Sequence, residues 1–338
     1  GGNLLSSKCI GIIGCGNISN KFGENLISIK NTEISCIASK NTNRLKIFGD
    51  KFGVENKNRF SDYKSILSSK FDVAYIGLIN SLHKEVILNL VSNQKNIIVE
   101  KPSFLTIKDF GDCADLIKEK KILFVESMMN LHHPQTSQIF EILNSNKLGK
   151  ILSLNFKFGY DIRRKFLYFF KKKINFLNRL TDPTLGGGAI NDLGCYGVAF
   201  SNKIASFLNC SKNYTIKKKV VIGATGVDIN SKIEINYNNI FQSTIHVAFD
   251  ENFGNSAQIV GSKGSLYIPN LVTPSNNYSL ILKTNISKEL KFSGEDLYTY
   301  IIKDVEKYLS QNIKDVDGYG LRLKEIESYL KILEHWKS

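Results

Sequence analysis

The chain has 338 residues, is 42% hydrophobic, and carries 45 Lys+Arg against 31 Asp+Glu for a formal charge of +14. That length can bury a large core and is enough for two domains. The charge is spread along the chain, with short runs at Lys171–Lys173 and Lys217–Lys219 and no zinc-finger spacing, RRM signature or recognition-helix pattern. The expectation is therefore a solvated lysine surface with some pull on anionic substrates, and no nucleic-acid partner.

In chain order, KCIGIIGCGNIS opens with a buried-strand run, Cys9 to Ile13, followed at once by Gly14-Cys15-Gly16. A segment of helical period comes next (Ile18, Phe22, Leu26, Ile29), then the strand EISCIAS at 33–39 and a helix over 42–52. A weak short strand lies around Asn58–Phe60. DVAYIGL (72–78) is a clear strand, SLHKEVILNLVSN (81–93) an amphipathic helix and NIIVE (96–100) a further strand. FLTIKDFGDCADLIKEK follows as a helix, and ILFVE (122–126) closes the series as a strand. Short apolar strands alternating with helices predict βαβ units on a parallel sheet.

Gly14-x-Gly16-x-x-Ser19 then acquires a meaning. It resembles the dinucleotide fingerprint, with Ser in place of the third small residue. Gly14 allows the tight turn, and Gly16 lets a pyrophosphate approach the backbone at the N-terminus of the next helix, at Asn17 and Ile18. The motif alone is weak and also fits a plain strand-to-helix turn; its place between a first strand and a helix is the context it requires. At the end of the second strand an NAD site usually carries a carboxylate, but here stand Ser39, Lys40 and Arg44. A hydroxyl, an ammonium and a guanidinium suit a 2′-phosphate, so NADP(H) is expected, with NAD(H) as the alternative.

After Pro134 the pattern changes. A helix over 135–146 leads into KLGKILSLNFKFGYDI, an alternating strand, and between 216 and 292 the runs KIEINY, TIHVAF, AQIVG, SLYIP and YSLILK alternate with Gly, Asn and Pro between them. This is a largely antiparallel sheet with one buried face. Helices at 296–311 and 319–336 end the chain. The change of pattern sets the boundary, giving domains 1–126 and 127–338, with the final helices able to pack back on the first.

One stretch departs from this pattern, DPTLGGGAINDLGCYGVAF at 182–200. Three successive glycines imply a backbone that turns sharply or approaches something closely. Asp192 and Tyr196, four apart, share one face if the segment is helical. On the residues alone the plainer reading is a cap at Asp192 and a core aromatic at Tyr196.

GIIGCGNIS, DVAYIGLINSLHKE, VEKP, LGGGAINDLGCY and IVGSKGSLYIP together, in order and at approximate spacing, resemble the Gfo/Idh/MocA oxidoreductases over nearly the whole chain. The resemblance implies a doubly wound Rossmann domain followed by an α+β domain with a large open, mainly antiparallel sheet. It implies that Lys101 of Glu100-Lys101-Pro102 is the essential lysine, with Glu100 beside the cofactor and a cis bond at Pro102. It places the acid/base residue at Tyr196, in the Tyr-type subgroup that includes dihydrodiol dehydrogenases, glucose–fructose oxidoreductase and nucleotide-sugar ketoreductases, with Asp192 orienting substrate or the lysine. A phenol titrates near 10, and a nearby ammonium stabilises its phenolate.

The same resemblance puts Asn80 and His83 near the nicotinamide ribose and His132 or His133 near substrate. Arg163 and Arg164, on the loop after the first strand of the second domain, read as a solvated loop or as a reach for an anionic substrate. Ile79 replaces the proline often found before Asn80. The implied activity is hydride transfer at a carbonyl or hydroxyl carbon of a sugar, polyol or nucleotide-linked sugar, by a homodimer or homotetramer. An NAD-dependent glycosidase of this fold and a non-catalytic nucleotide-sensing regulator are the alternatives. The six dispersed cysteines form no CxxC pair and no metal cluster. With no apolar run near the roughly 18 residues of a membrane span, a cytoplasmic protein is expected.

Overall fold

The computed structural model describes residues 8–163 and 180–338. They fall into two compact units, one running to His132 and joined by Asp296–Leu323, the other His133–Glu295 with Lys324–Ser338.

The first unit is built on six parallel strands: β1 (Lys8–Ile13), β2 (Thr32–Ala38), β3 (Arg59–Phe60), β4 (Val73–Ile76), β5 (Asn96–Glu100) and β6 (Phe124–Ser127). Their order is β3-β2-β1-β4-β5-β6, the doubly wound arrangement. β4 is buried at every residue, and β1 and β5 nearly so, because helices cover both faces of such a sheet. That is why they read as unbroken apolar runs. The helices are α1 (Asn17–Leu26), α2 (Thr42–Phe52), α3 (His83–Ser92), α4 (Ile107–Glu119) and the short α5 (Met129–His132).

From the far end of the chain comes α8 (Leu297–Ser310), capped by Asp296, whose carboxylate accepts the Tyr298 N–H at 3.2 Å. Phe22 of α1 stacks on Tyr75 of β4 at 3.8 Å between ring centroids and meets the Tyr298 ring edge-on at 6.5 Å. Ile301, Ile302 and Val305 complete that cluster. Each such side chain contributes about 2 kcal/mol on burial.

The second unit holds α6 (Pro134–Asn144), α7 (Cys195–Phe207), α9 (Leu323–Lys337, which starts at the unit boundary) and an eight-stranded sheet. Its strands are β7 (Ile151–Gly159), β8 (Tyr214–Ile222), β9 (Asp228–Tyr237), β10 (Phe241–Ala248), β11 (Gly254–Gly261), β12 (Ser265–Ile268), β13 (Asn277–Lys283) and β14 (Ser287–Ser293). The order is β14-β13-β12-β11-β7-β10-β9-β8, and every neighbouring pair is antiparallel except β7 with β10. Leu154, Phe156, Ile233, Ile235, Ile245 and Ile259 line the buried face, while Asn155, Lys157, Glu234 and Gln258 stand exposed on the other.

α7 lies hard against β7 and β10. A Cβ on Gly197 would fall 2.5 Å from the Phe156 ring and 2.8 Å from Ile245. The helix is buried nearly all round, so its Ser201 bonds inward, to the Ser243 hydroxyl at 2.5 Å and the Tyr237 hydroxyl at 2.8 Å.

Candidate active site

The turn after β1 is tight and leaves space at the start of α1. Gly14 has φ +90°, its N–H donates to the Ala38 carbonyl at 2.8 Å, and a Cβ there would stand 2.5 Å from the Gly77 oxygen. Gly16 caps α1 in an extended conformation, with no side-chain cap and no acid in the first turn. A Cβ on Gly16 would meet nothing nearer than Arg44 Nη1, at 3.7 Å. The first N–H groups of α1 thus border open space with a guanidinium beside it, which fits a pyrophosphate. Asn17 is exposed there, and Ile18 packs on the core.

Ser19, the third motif residue, is buried where a Cβ on Gly77 would come within 2.2 Å of its Oγ. A small residue is needed because α1 closes onto the end of β4. Burial pushes the Cys15 thiol up to about 12, against the opposing pull of Arg44, so the residue between the two glycines stays a neutral thiol.

Ser39, buried, accepts the Asn41 N–H at 3.2 Å through Oγ, and Asn41 caps α2 by accepting the Arg44 N–H at 3.0 Å. The Lys40 ammonium lies over the Tyr63 ring, 5.1 Å from its centroid. The end of β2 and the first turn of α2 therefore carry two cations, Lys40 and Arg44.

Lys101 follows β5, which lies between β4 and β6 in the sheet. Glu100 is buried and accepts a hydrogen bond from the Tyr75 hydroxyl. Lys101 is half-buried, and the Lys101–Pro102 bond is cis. The Ser103 N–H donates to Glu126, a carboxylate only 1% exposed at the end of β6, at 2.9 Å. Sequence reasoning missed Glu126, whose one signal was an acid ending the apolar run ILFVE. Asn80 opens the single 3-10 turn that precedes α3. His83 is fully buried, with its ring nitrogens 3.0 Å from the carbonyl oxygens of Ser103 and Leu78. Its side chain therefore faces the protein backbone.

In the second unit the three glycines form a tight turn. Gly186 and Gly188 have φ +80° and +114°, and Gly187 and Gly188 donate to the carbonyls of Asp182 and Leu180 at 3.0 and 2.6 Å. From there Ile190–Gly194 makes one π-helical turn that runs into α7. Such wide turns recur at functional sites. Asp192 lies on that turn and Tyr196 at the start of α7. The Tyr160 hydroxyl, one residue past β7, donates to Asp192 Oδ2 at 3.3 Å. Tyr196 is 6% exposed, with its ring 6.0 Å from Phe158 of β7. Gly194 leaves room for Trp336 of α9, whose ring would stand 2.7 Å from a Cβ there.

The remaining predicted residues lie as follows. The His132 side chain is buried in the first unit, with Nδ1 2.6 Å from Asp304 of α8. His133 caps α6 in the second unit, its Nδ1 accepting the Gln135 N–H at 3.0 Å and its ring edge-on to Tyr278 at 5.0 Å. Arg163, 72% exposed, grips Asp161 through two bonds of 3.0 and 3.1 Å. Arg164 and Lys171–Lys173 lie outside the described residues. Among the described residues no three His, Cys, Asp or Glu stand together as metal ligands, and no helix is long and apolar enough to cross a membrane.

Comparison with known proteins agrees with this architecture. A family model described as an oxidoreductase family with an NAD-binding Rossmann fold matches residues 8–127, and the Gfo/Idh/MocA C-terminal domain matches 136–267. The chain is 23% identical to the trans-1,2-dihydrobenzene-1,2-diol dehydrogenase of Xenopus tropicalis over 317 residues, covering 90% of each chain. It is 25% identical to a dTDP-3,4-didehydro-2,6-dideoxy-alpha-D-glucose 3-reductase of Actinomadura kijaniata over 285 residues, covering 81% of this chain and 78% of that one. A crystal structure of a 3-ketoreductase from Actinomadura kijaniata with NADP and TDP-benzene superposes with a TM-score of 0.84 at 19% identity, covering 97% and 96%. An aldose-aldose oxidoreductase from Caulobacter crescentus does so with a TM-score of 0.82 at 13% identity, over 97% and 96%. The chain belongs to the Gfo/Idh/MocA family of NAD(P)-dependent oxidoreductases.

Proposed function

We propose that the protein uses NADP(H) to interconvert a ketone and a secondary alcohol on a six-membered ring carrying neighbouring oxygens, as a free polyol or a nucleotide-linked sugar. In this reading the first unit holds the nucleotide and the second the substrate. The observation that carries the cofactor choice is the pair of cations after β2, Lys40 and Arg44, at the strand end where a ribose is held. No carboxylate follows β2 to bind ribose hydroxyls, and Ser39 adds a donor. The substrate class draws on the dihydrodiol and the dTDP-linked sugar named for two relatives, which share adjacent ring oxygens.

NADP(H), when bound, supplies or accepts the hydride. In the reducing direction the carbonyl carbon gains that hydride and negative charge builds on its oxygen. Lys101 is assigned to stabilise this charge, and Tyr196 to give the oxygen its proton, leaving an alcohol. Asp192, held on one oxygen by Tyr160, is assigned to accept from the neighbouring substrate hydroxyl. A homodimer or homotetramer in a reducing, cytoplasmic compartment accompanies the reading, which the six free thiols suit.

The test is turnover, followed by nicotinamide absorbance. The protein is given NADP+ with trans-1,2-dihydrobenzene-1,2-diol, and NADPH with cyclic keto-sugars, free and dTDP-linked. Turnover of a member of this panel, lost in Lys101→Ala and Tyr196→Phe, supports the assignment. Near-native turnover in either variant rejects it.

A further inference from the structure

The turn that bears Asp192 and leads into Tyr196 is met at its start by a residue that no motif contains. Asp228, the first residue of β9, is only 7% exposed and points at the start of the π turn. Its Oδ2 accepts the Ile190 N–H at 2.9 Å and the Ser231 hydroxyl at 3.2 Å. Its Oδ1 occupies the place of a missing side chain: a Cβ on Gly188 would stand 2.3 Å from it. The third glycine of Gly186-Gly187-Gly188 is thus explained twice, by φ +114° and by this carboxylate.

Ile190 is the first residue of the π turn, so its N–H has no partner within that turn. The same turn has no side-chain cap of its own. Its opposite side is closed by Trp336 against Gly194. One carboxylate thus meets the first residue of the turn that bears Asp192, and one indole meets its last.

We infer that Asp228 is a positioning residue for the reaction, setting through Ile190 where Asp192 and Tyr196 stand. The inference rests on the assignment of Tyr196 as the proton donor. The carboxylate acts as an acceptor, and Asn keeps an acceptor oxygen of the same size, so Asp228→Asn preserves the bond and Asp228→Ala removes it. A buried N–H left without its acceptor is costly, so the segment opens locally.

The experiment is amide hydrogen exchange by mass spectrometry on peptides spanning 188–198, with turnover of trans-1,2-dihydrobenzene-1,2-diol measured per NADPH-binding site. In Asp228→Ala, exchange in this segment is expected to rise at least tenfold, with α1 and β5 unchanged, and kcat to fall at least tenfold at unchanged NADPH affinity. Asp228→Asn is expected to recover most of both. Unchanged exchange in Asp228→Ala overturns the inference, as does faster exchange without loss of kcat. Should Asp228→Ala fail to fold, Asp228→Asn decides: protection at 188–198 within threefold of the parent supports the inference, and tenfold faster exchange overturns it. Tyr196→Phe in the same assay separates the two readings. Full turnover there removes the acid/base assignment and this inference with it, whereas a dead Tyr196→Phe beside a fully active Asp228→Ala removes this inference alone.

Discussion

His83 binds the loop that follows Lys101: its Nδ1 lies 3.0 Å from the carbonyl oxygen of Ser103, and its Nε2 3.0 Å from that of Leu78. Burial holds the ring below its usual pKa, so it is neutral and donates its one N–H to one of the two carbonyls. His83→Leu is expected to lower stability by about 2 kcal/mol by stranding a buried acceptor. His83→Gln, which keeps a donor, should lose less. Urea unfolding of both variants checks the order, and equal losses would show that packing alone matters at this position.

The two motif glycines should fail differently. Gly14→Ala meets a backbone oxygen at a left-handed φ, so a lower unfolding midpoint and loss of binding are expected together. Gly16→Ala places its methyl in open space, so the fold should survive while NADPH affinity drops. Thermal melts paired with NADPH titration distinguish the two; intact NADPH binding in Gly16→Ala would remove the pyrophosphate from this turn.

Arg44→Ala should weaken NADPH about tenfold or more, since a charge-assisted hydrogen bond is worth roughly 1.5–3 kcal/mol. NADH affinity should hardly move. A parallel loss for both nucleotides would place the guanidinium at the shared pyrophosphate.

Acid stability should carry the mark of His133. Burial lowers its pKa to about 4, against about 6.5 in an unfolded chain. Between those values the unfolded state binds the extra proton, so stability falls as pH drops from about 6.5 to about 4. His133→Asn keeps an acceptor for the α6 cap and cannot titrate. The difference in urea midpoint between pH 7 and pH 5 should therefore be smaller in the variant; an equal difference would assign the acid slope to other groups.

What was legible in the sequence follows from which forces are local. β1, β4 and β5 could be read because burial on both faces forces unbroken apolar runs. The parallel pairing of β7 with β10 could not, since alternation is the same for either direction. The four-residue spacing makes Asp192 and Tyr196 neighbours on one face of a helix. The wider turn that carries Asp192 meets Trp336 at Gly194 and Asp228 at Ile190, contacts made by residues distant in sequence. His83 was expected at the ribose, and nothing local says that its ring turns towards the Ser103 and Leu78 carbonyls. Glu126 read only as a strand end because its partner, the Ser103 N–H, lies on another loop.

The most direct test of the central claim is titration of the nucleotide-free protein with NADPH and with NADH, followed by nicotinamide fluorescence. The account predicts saturable binding of both, at least tenfold tighter for NADPH, with the difference abolished in Arg44→Ala. Tighter binding of NADH would contradict the cofactor assignment, and binding of neither would contradict the enzymatic reading itself.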